Sequence, residues 1–151
     1  MTWNKSSDEE TDSMIEANVK WTGDRQLVAT GEKSGHSIVI DMAKDKGGND
    51  TGMRPTELLL LSVASCTAID MLNILSKMKI ELTRCEVKIA AYQREHYPKY
   101  FNKMKLQYVL SGEGLTEKKA RKAVGLSMDK YCAVSQTLKD RTEFEIEIEI
   151  V

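Results

Sequence analysis

The sequence is short of the features that would staple a chain, carry it out of the cell or bind it to nucleic acid. Only three cysteines occur among 151 residues. They are odd in number, far apart and outside any CxxC or Cys/His spacing, which excludes a disulfide scaffold and argues against a structural zinc site. Neither sign of charge dominates, since 22 Lys and Arg stand against 23 Asp and Glu for a formal net charge of -1. No overall electrostatic footprint for nucleic acid results. The opening "MTWNKSSDEETDS" has no apolar stretch of the kind a signal peptide needs, and the apolar run from Leu58 is broken by Ser, Thr, Asp and Asn before it could serve as a membrane span. There is no internal repeat and no interior linker long enough to split the chain. The expectation is a cytoplasmic protein with reduced thiols, with neither a membrane nor a nucleic acid as partner. Its expected layout is a mobile tail over 1–13 that takes no part in function, followed by a single domain over 14–151, large enough for a core without covalent support.

What is present is a clear succession of periodicities. Apolar residues alternate at Ile15, Ala17, Val19 and Trp21. "TGDR" then makes a turn into "QLVATG", and a third run places His36, Ile38, Ile40 and Met42 on one face, so three short antiparallel strands are expected. A glycine-rich, charged connection, "AKDKGGNDTGMR", ends at Pro55. That proline suits the first position of a long apolar helix, where a missing N–H costs nothing, and the helix is expected to reach about Lys79. A fourth strand carries Cys85, Val87, Ile89 and Ala91 on one face, and a fifth carries Met104, Leu106, Tyr108 and Leu110. Thr116 is placed to cap a second helix, with Leu115 stapling onto Ala120. A junction near Cys132 leads to "AVSQTLKD", and "EFEIEIEIV" closes the chain as a half-buried strand. The order βββ, α, ββ, α, β defines an α+β fold.

The thiols differ in setting. Cys85, on a strand face with Val87 and Ile89, reads as a small buried hydrophobe without chemistry. Cys66 sits in the middle of the long apolar helix, where it is either core filler or a nucleophile. Asp70, one turn on, would raise its pKa, and the site is too deep in the helix to gain from the N-terminal dipole, so activation requires a cation from elsewhere. Cys132 lies at a helix junction, where free backbone N–H groups favour a thiolate. His36, on the face of Ile38 and Ile40, reads as a satisfied core histidine.

"RPTELLLLSVASCTAID" followed much later by "YCAVS" resembles the OsmC and Ohr family of thiol-dependent peroxidases. The strand and helix order matches that fold from about Met14 to Val151. "VKW", "SGHSIVIDM" and "RCEVKI" are most similar to its less characterised OsmC-like branch. The resemblance implies an intertwined homodimer with the active site at the interface, Cys66 as the peroxidatic cysteine and Cys132 as the resolving one. It further implies a small organic hydroperoxide as substrate and an external dithiol reductant, with no bound cofactor and no metal. Cys66 would pass through a sulfenic acid to a Cys66–Cys132 disulfide.

The resemblance is incomplete at one point. Where the family places a glutamate after the helix-opening proline, to hold an arginine over the thiolate, this chain has Thr56 and carries the carboxylate at Glu57. One helical residue is a rotation of about 100°, which points Glu57 nearly away from Cys66. Arg25, in "TGDRQL", is the candidate for the arginine, reaching the site from the partner subunit, with Arg54 as the other candidate cation. The competing reading is a non-catalytic binding or sensing module with an apolar interface pocket for a lipid-like or aromatic ligand. A nucleic-acid role for "QREHYPKYFNKMK" is weaker, because a solvated hairpin explains its basic and aromatic interleaving.

Overall fold

The structure is a computed structural model that describes residues 14–151, so the tail expected over 1–13 lies outside the described residues. The chain divides into two compact units, Met1–Arg54 and Pro55–Val151.

In the first unit β1 (Ala17–Gly23), β2 (Gln26–Gly31) and β3 (Ser37–Ile40) form the expected antiparallel meander. Val19 pairs with Ala29 and Ala29 with Ile38, while Trp21 pairs with Leu27 and Leu27 with Ile40. These positions share one face of the pleat, since side chains alternate along a strand. On that apolar face Val19, Trp21 and Ile38 are exposed, Leu27 and Ala29 half-buried, and Ile40 buried. The β1–β2 turn needs left-handed backbone at Asp24 (φ 47°), whose carbonyl accepts a hydrogen bond from the Trp21 indole at 3.1 Å. His36 is exposed, with its Nδ1 2.9 Å from the Ser34 carbonyl oxygen. The expectation of a core histidine is therefore corrected: His36 precedes β3 and lies outside the strand's alternation.

The connection after β3 is organised by one carboxylate. Asp41 is only 1% exposed. Its Oδ1 accepts from the Met42 N–H at 2.7 Å, and its Oδ2 accepts from the N–H groups of Asn49 and Thr51 and from the Thr51 hydroxyl at 2.6 Å. Thr51 Oγ1 in turn accepts from the Gln26 side chain at 2.7 Å, which ties the loop to β2. Gly48 lies so close to the Met42 carbonyl that a side chain there has no room. The bond from the Thr51 hydroxyl, helped by the three backbone donors and opposed by burial, holds the Asp41 carboxyl down at about 2.

In the second unit α1 (Pro55–Lys77) is followed by β4 (Leu82–Gln93), β5 (Phe101–Gly112), α2 (Glu117–Leu126), a π-helical turn (Ser127–Tyr131), α3 (Ala133–Leu138) and β6 (Glu143–Ile150). The strand order is β4-β5-β6, with β4 antiparallel and β6 parallel to β5. α1 stops two residues short of the expected Lys79, which turns the chain at φ 57° so that the Ile80 N–H returns to the Leu75 carbonyl at 3.0 Å. The core joins Val63, Met71 and Leu75 of α1 to Met104, Leu106, Tyr108 and Leu110 of β5 and to Ala120, Ala123 and Val124 of α2. α1 is long and apolar enough to cross a membrane by length and composition alone, yet its Val63, Ala64, Thr67, Met71 and Leu75 are buried within the protein. The opposite sheet face is charged: Lys103 bridges Glu143 and Glu145, and Lys105 bridges Glu145 and Glu147.

Because the folded Asp41 carboxyl titrates below the usual value of about 3.9 for an unfolded Asp, the unfolded chain binds its proton first as the pH falls. The stability contributed by Asp41 is complete above about pH 4 and drains away as pH falls through about 2. Asp41→Asn is expected to flatten the acid limb of the stability profile in that window, measured by urea unfolding at successive pH values. An unchanged acid limb would remove the role given to Asp41.

Candidate functional site

The site forms where α1 crosses the end of α2. Thr67, fully buried, donates its hydroxyl to the Val63 carbonyl at 3.0 Å and accepts from the Tyr108 hydroxyl of β5 at 2.8 Å. The Thr67 carbonyl accepts from the Ser127 hydroxyl at 3.0 Å, sixty residues away in sequence. α1 is thus pinned to the sheet and to the end of α2 at the residue beside Cys66. Burial pushes the Tyr108 phenol up to about 12, opposed by its bond to Thr67 and assisted by the nearby thiols of Cys132 and Cys85. Tyr108 stays a hydrogen-bond donor across the neutral range.

α2 begins as expected, with the Thr116 hydroxyl accepting from the Lys119 N–H at 3.3 Å. It ends in the π-helical turn, whose wider winding closes on a bond from the Cys132 N–H to the Ser127 carbonyl at 2.8 Å. Cys132 then leaves the helical conformation (φ -72°, ψ 103°) and caps α3, its Sγ accepting from the Ser135 N–H at 3.3 Å. The Ser135 and Gln136 side chains both donate to the Met128 carbonyl, which fixes the turn against α3.

This geometry brings Cys66 and Cys132 together. The two Sγ atoms and a carboxylate oxygen of Asp70 lie within 4.8 Å of one another, with Cys132 fully buried and Cys66 and Asp70 half-buried. Burial pushes the Cys66 thiol up, as does its hydrogen bond with the Cys132 thiol. The Val134 N–H draws it back down, while the charges of Cys132 and Asp70 push it further up. Asp70 also lines a cavity of about 340 Å³ together with Ile74, Lys77, Met78, Lys122 and Leu126.

The other residues singled out in the sequence lie elsewhere. Glu57 is exposed in the first turn of α1, and Arg25 is exposed in the turn between β1 and β2. Arg54 pairs with Asp50 and donates to the Gly52 carbonyl. Thr56 lines a second cavity, of about 390 Å³, with Leu59, Tyr100, Phe101 and Leu138. Cys85 faces the core side of the sheet opposite Leu110 but is exposed, which corrects its reading as a buried hydrophobe. It lies near the start of β4, where the alternation continues but the cover does not. Tyr108 and Ser127 were not distinguished by the sequence. Tyr108 alternates like any strand residue, and nothing local announces that Ser127 reaches α1.

An α+β unit whose long apolar helix carries a thiol met by a second thiol from a helix junction defines a protein with a paired-cysteine centre. Comparison with known proteins places it more narrowly. The family described as OsmC-like protein matches residues 47–147, and the chain belongs to that family. It is 33% identical over 138 residues to protein YhfA of Escherichia coli K12, covering 91% of this chain and 98% of YhfA. Among solved structures, a hypothetical protein of Aquifex aeolicus superposes with a TM-score of 0.80 at 27% identity, covering 93% of this chain and 98% of its own. An organic hydroperoxide resistance protein OsmC of Legionella pneumophila shares the fold, with a TM-score of 0.68 at 16% identity and coverage of 93% and 99%.

Removing the Tyr108 hydroxyl leaves Thr67 bonded to Val63, so Tyr108→Phe is expected to cost about 1 kcal/mol, the usual net worth of one buried hydrogen bond. Chemical denaturation reads this directly. A loss near zero would mean that the Tyr108–Thr67 bond does not hold α1 in place.

Proposed function

We propose that the protein is a thiol-dependent peroxidase that reduces organic hydroperoxides. The observation carrying this reading is the approach of the Cys66 and Cys132 sulfurs, which lie far apart in sequence and within 4.8 Å in the fold. The Cys66 thiolate attacks the outer oxygen of the hydroperoxide. A sulfur–oxygen bond forms as the O–O bond breaks, and the departing alkoxide takes a proton to leave as the alcohol. Cys132 then attacks the Cys66 sulfenic acid, water departs, and the disulfide closes. A dithiol reductant from solution restores both thiols by exchange, and no bound cofactor is required. The cavity beside Asp70 joins the apolar Ile74, Met78 and Leu126 to the cations Lys77 and Lys122, and it reaches the thiols only through Asp70, which lies next to them.

Cys66 on its own chain is held protonated by burial, so the thiolate requires a cation. The proposed source is Arg25 of a second copy of the chain, in a cytoplasmic homodimer. Support comes from the apolar surface that one copy leaves open. Leu61, Ile69 and Leu72 of α1 are exposed at helical spacing, and so are Val19, Trp21 and Ile38 on the apolar face of the β1–β3 sheet. Glu57 is exposed on α1, and to take the place of the glutamate that Thr56 replaces it would have to hold that arginine from a helix face turned about 100° from that of Thr56. Sedimentation at low micromolar concentration is expected to give a dimer. A compact monomer would remove both the dimer and the role of Arg25.

Three variants test the chemistry. Cys66→Ser is expected to abolish hydroperoxide turnover with the fold intact, because a hydroxyl without a base does not replace a thiolate. Cys132→Ser should complete one turnover and stop, leaving a sulfenic acid that a dimedone-type reagent traps. Cys85→Ser should turn over like the parent. If Cys66→Ser retains parental turnover, Cys66 is packing and the reading as a ligand-binding module takes its place.

A further inference from the structure

Asp70 turns the thiol pair into something more than a disulfide in waiting. Two sulfurs and one carboxylate oxygen already lie within 4.8 Å of one another. A tetrahedral zinc ion with Zn–S bonds of about 2.3 Å and a Zn–O bond of about 2.0 Å holds such atoms about 3.5–3.8 Å apart, so the atoms present have at most about 1.3 Å to close. The scaffold favours that small contraction. Cys66 and Asp70 are one turn apart on α1, so their side chains leave the same helix face. Cys132 is fixed by the π-helical turn and by the Ser135 N–H on its sulfur. Asp70 also borders a cavity that Lys77 and Lys122 share and that neither thiol lines.

We propose that the reduced protein binds one divalent ion of borderline softness, of the zinc class, through Cys66, Cys132 and Asp70. Two thiolates and one carboxylate suit such an ion better than magnesium or calcium, which take oxygen ligands only. Three protein ligands leave a fourth position for water or a small thiol. On binding, both S–H groups release their protons to solvent and two metal–sulfur bonds form, so each ion taken up releases two protons when the thiols begin protonated. No electrons move. The same two sulfurs cannot serve a disulfide and a metal at once, so the ion binds only the reduced protein and blocks disulfide closure while it stays. The coordination rests on the geometry and holds whether or not the pair reduces hydroperoxides.

The test is a Co²⁺ titration of the reduced, full-length protein, followed by displacement with Zn²⁺. The expected result is one Co²⁺ per chain, with sulfur-to-cobalt charge transfer, the ligand-field bands of a tetrahedral site, and loss of both signals when zinc enters. Prior oxidation to the Cys66–Cys132 disulfide should abolish the spectrum and dithiol reduction should restore it, which makes the test independent of whether a cysteine variant folds. Asp70→Asn should weaken binding at least tenfold, and Cys85→Ser should change nothing. The proposal is overturned by an octahedral spectrum, by binding that survives oxidation or depends on Cys85, or by an Asp70→Asn affinity equal to the parent's.

Discussion

The bond from Ser127 to the carbonyl of Thr67 is the constraint on which the site depends. It joins the middle of α1 to the end of α2 at a point where α1 is also held by Tyr108 from the sheet. Cys66 lies one residue from this junction on one side, and Cys132 follows the π-helical turn on the other. Three elements therefore meet around a single buried threonine. The thiols meet because the scaffold already does, and their approach needs no attraction between sulfurs.

The same helix serves two surfaces. One side of α1 is absorbed by the core through Val63, Met71 and Leu75, while Leu61, Ile69 and Leu72 remain open. A helix apolar on both sides shows little amphipathic contrast, which is why its sequence reads as core all round. The open side keeps three apolar side chains in solvent at helical spacing.

Much of the fold was legible in the sequence because its signals are local. Strict alternation in "EFEIEIEI", Pro55 at the first helical position and Thr116 as a cap each act within a turn or a strand. Cys132 was legible as a junction residue with N–H groups to spare, and the Ser135 N–H on its sulfur is that feature realised. The direction of β6 was not legible, because alternation is the same for a strand running either way. The exposure of Cys85 and His36 depends on where cover ends, which is set by other elements and not by their own periodicity. Asp70 was visible only as an obstacle to ionising Cys66. Its place beside both sulfurs depends on the crossing of α1 with the α2–α3 junction, a contact across some sixty residues.

The charged ladder between β5 and β6 has a consequence for the life of the chain before and after folding. β6 stands at the end of its sheet and pairs only with β5 among the described strands. Its apolar face, with Phe144, Ile146 and Ile148, packs against the core. The glutamates that alternate with those residues give each copy of the strand a dense row of negative charge, only partly balanced by Lys103 and Lys105. Two such strands from different molecules, stacked in register, would set like charges side by side at every second position. The residues that mark the strand most plainly to a reader therefore also oppose its stacking on a second copy of itself.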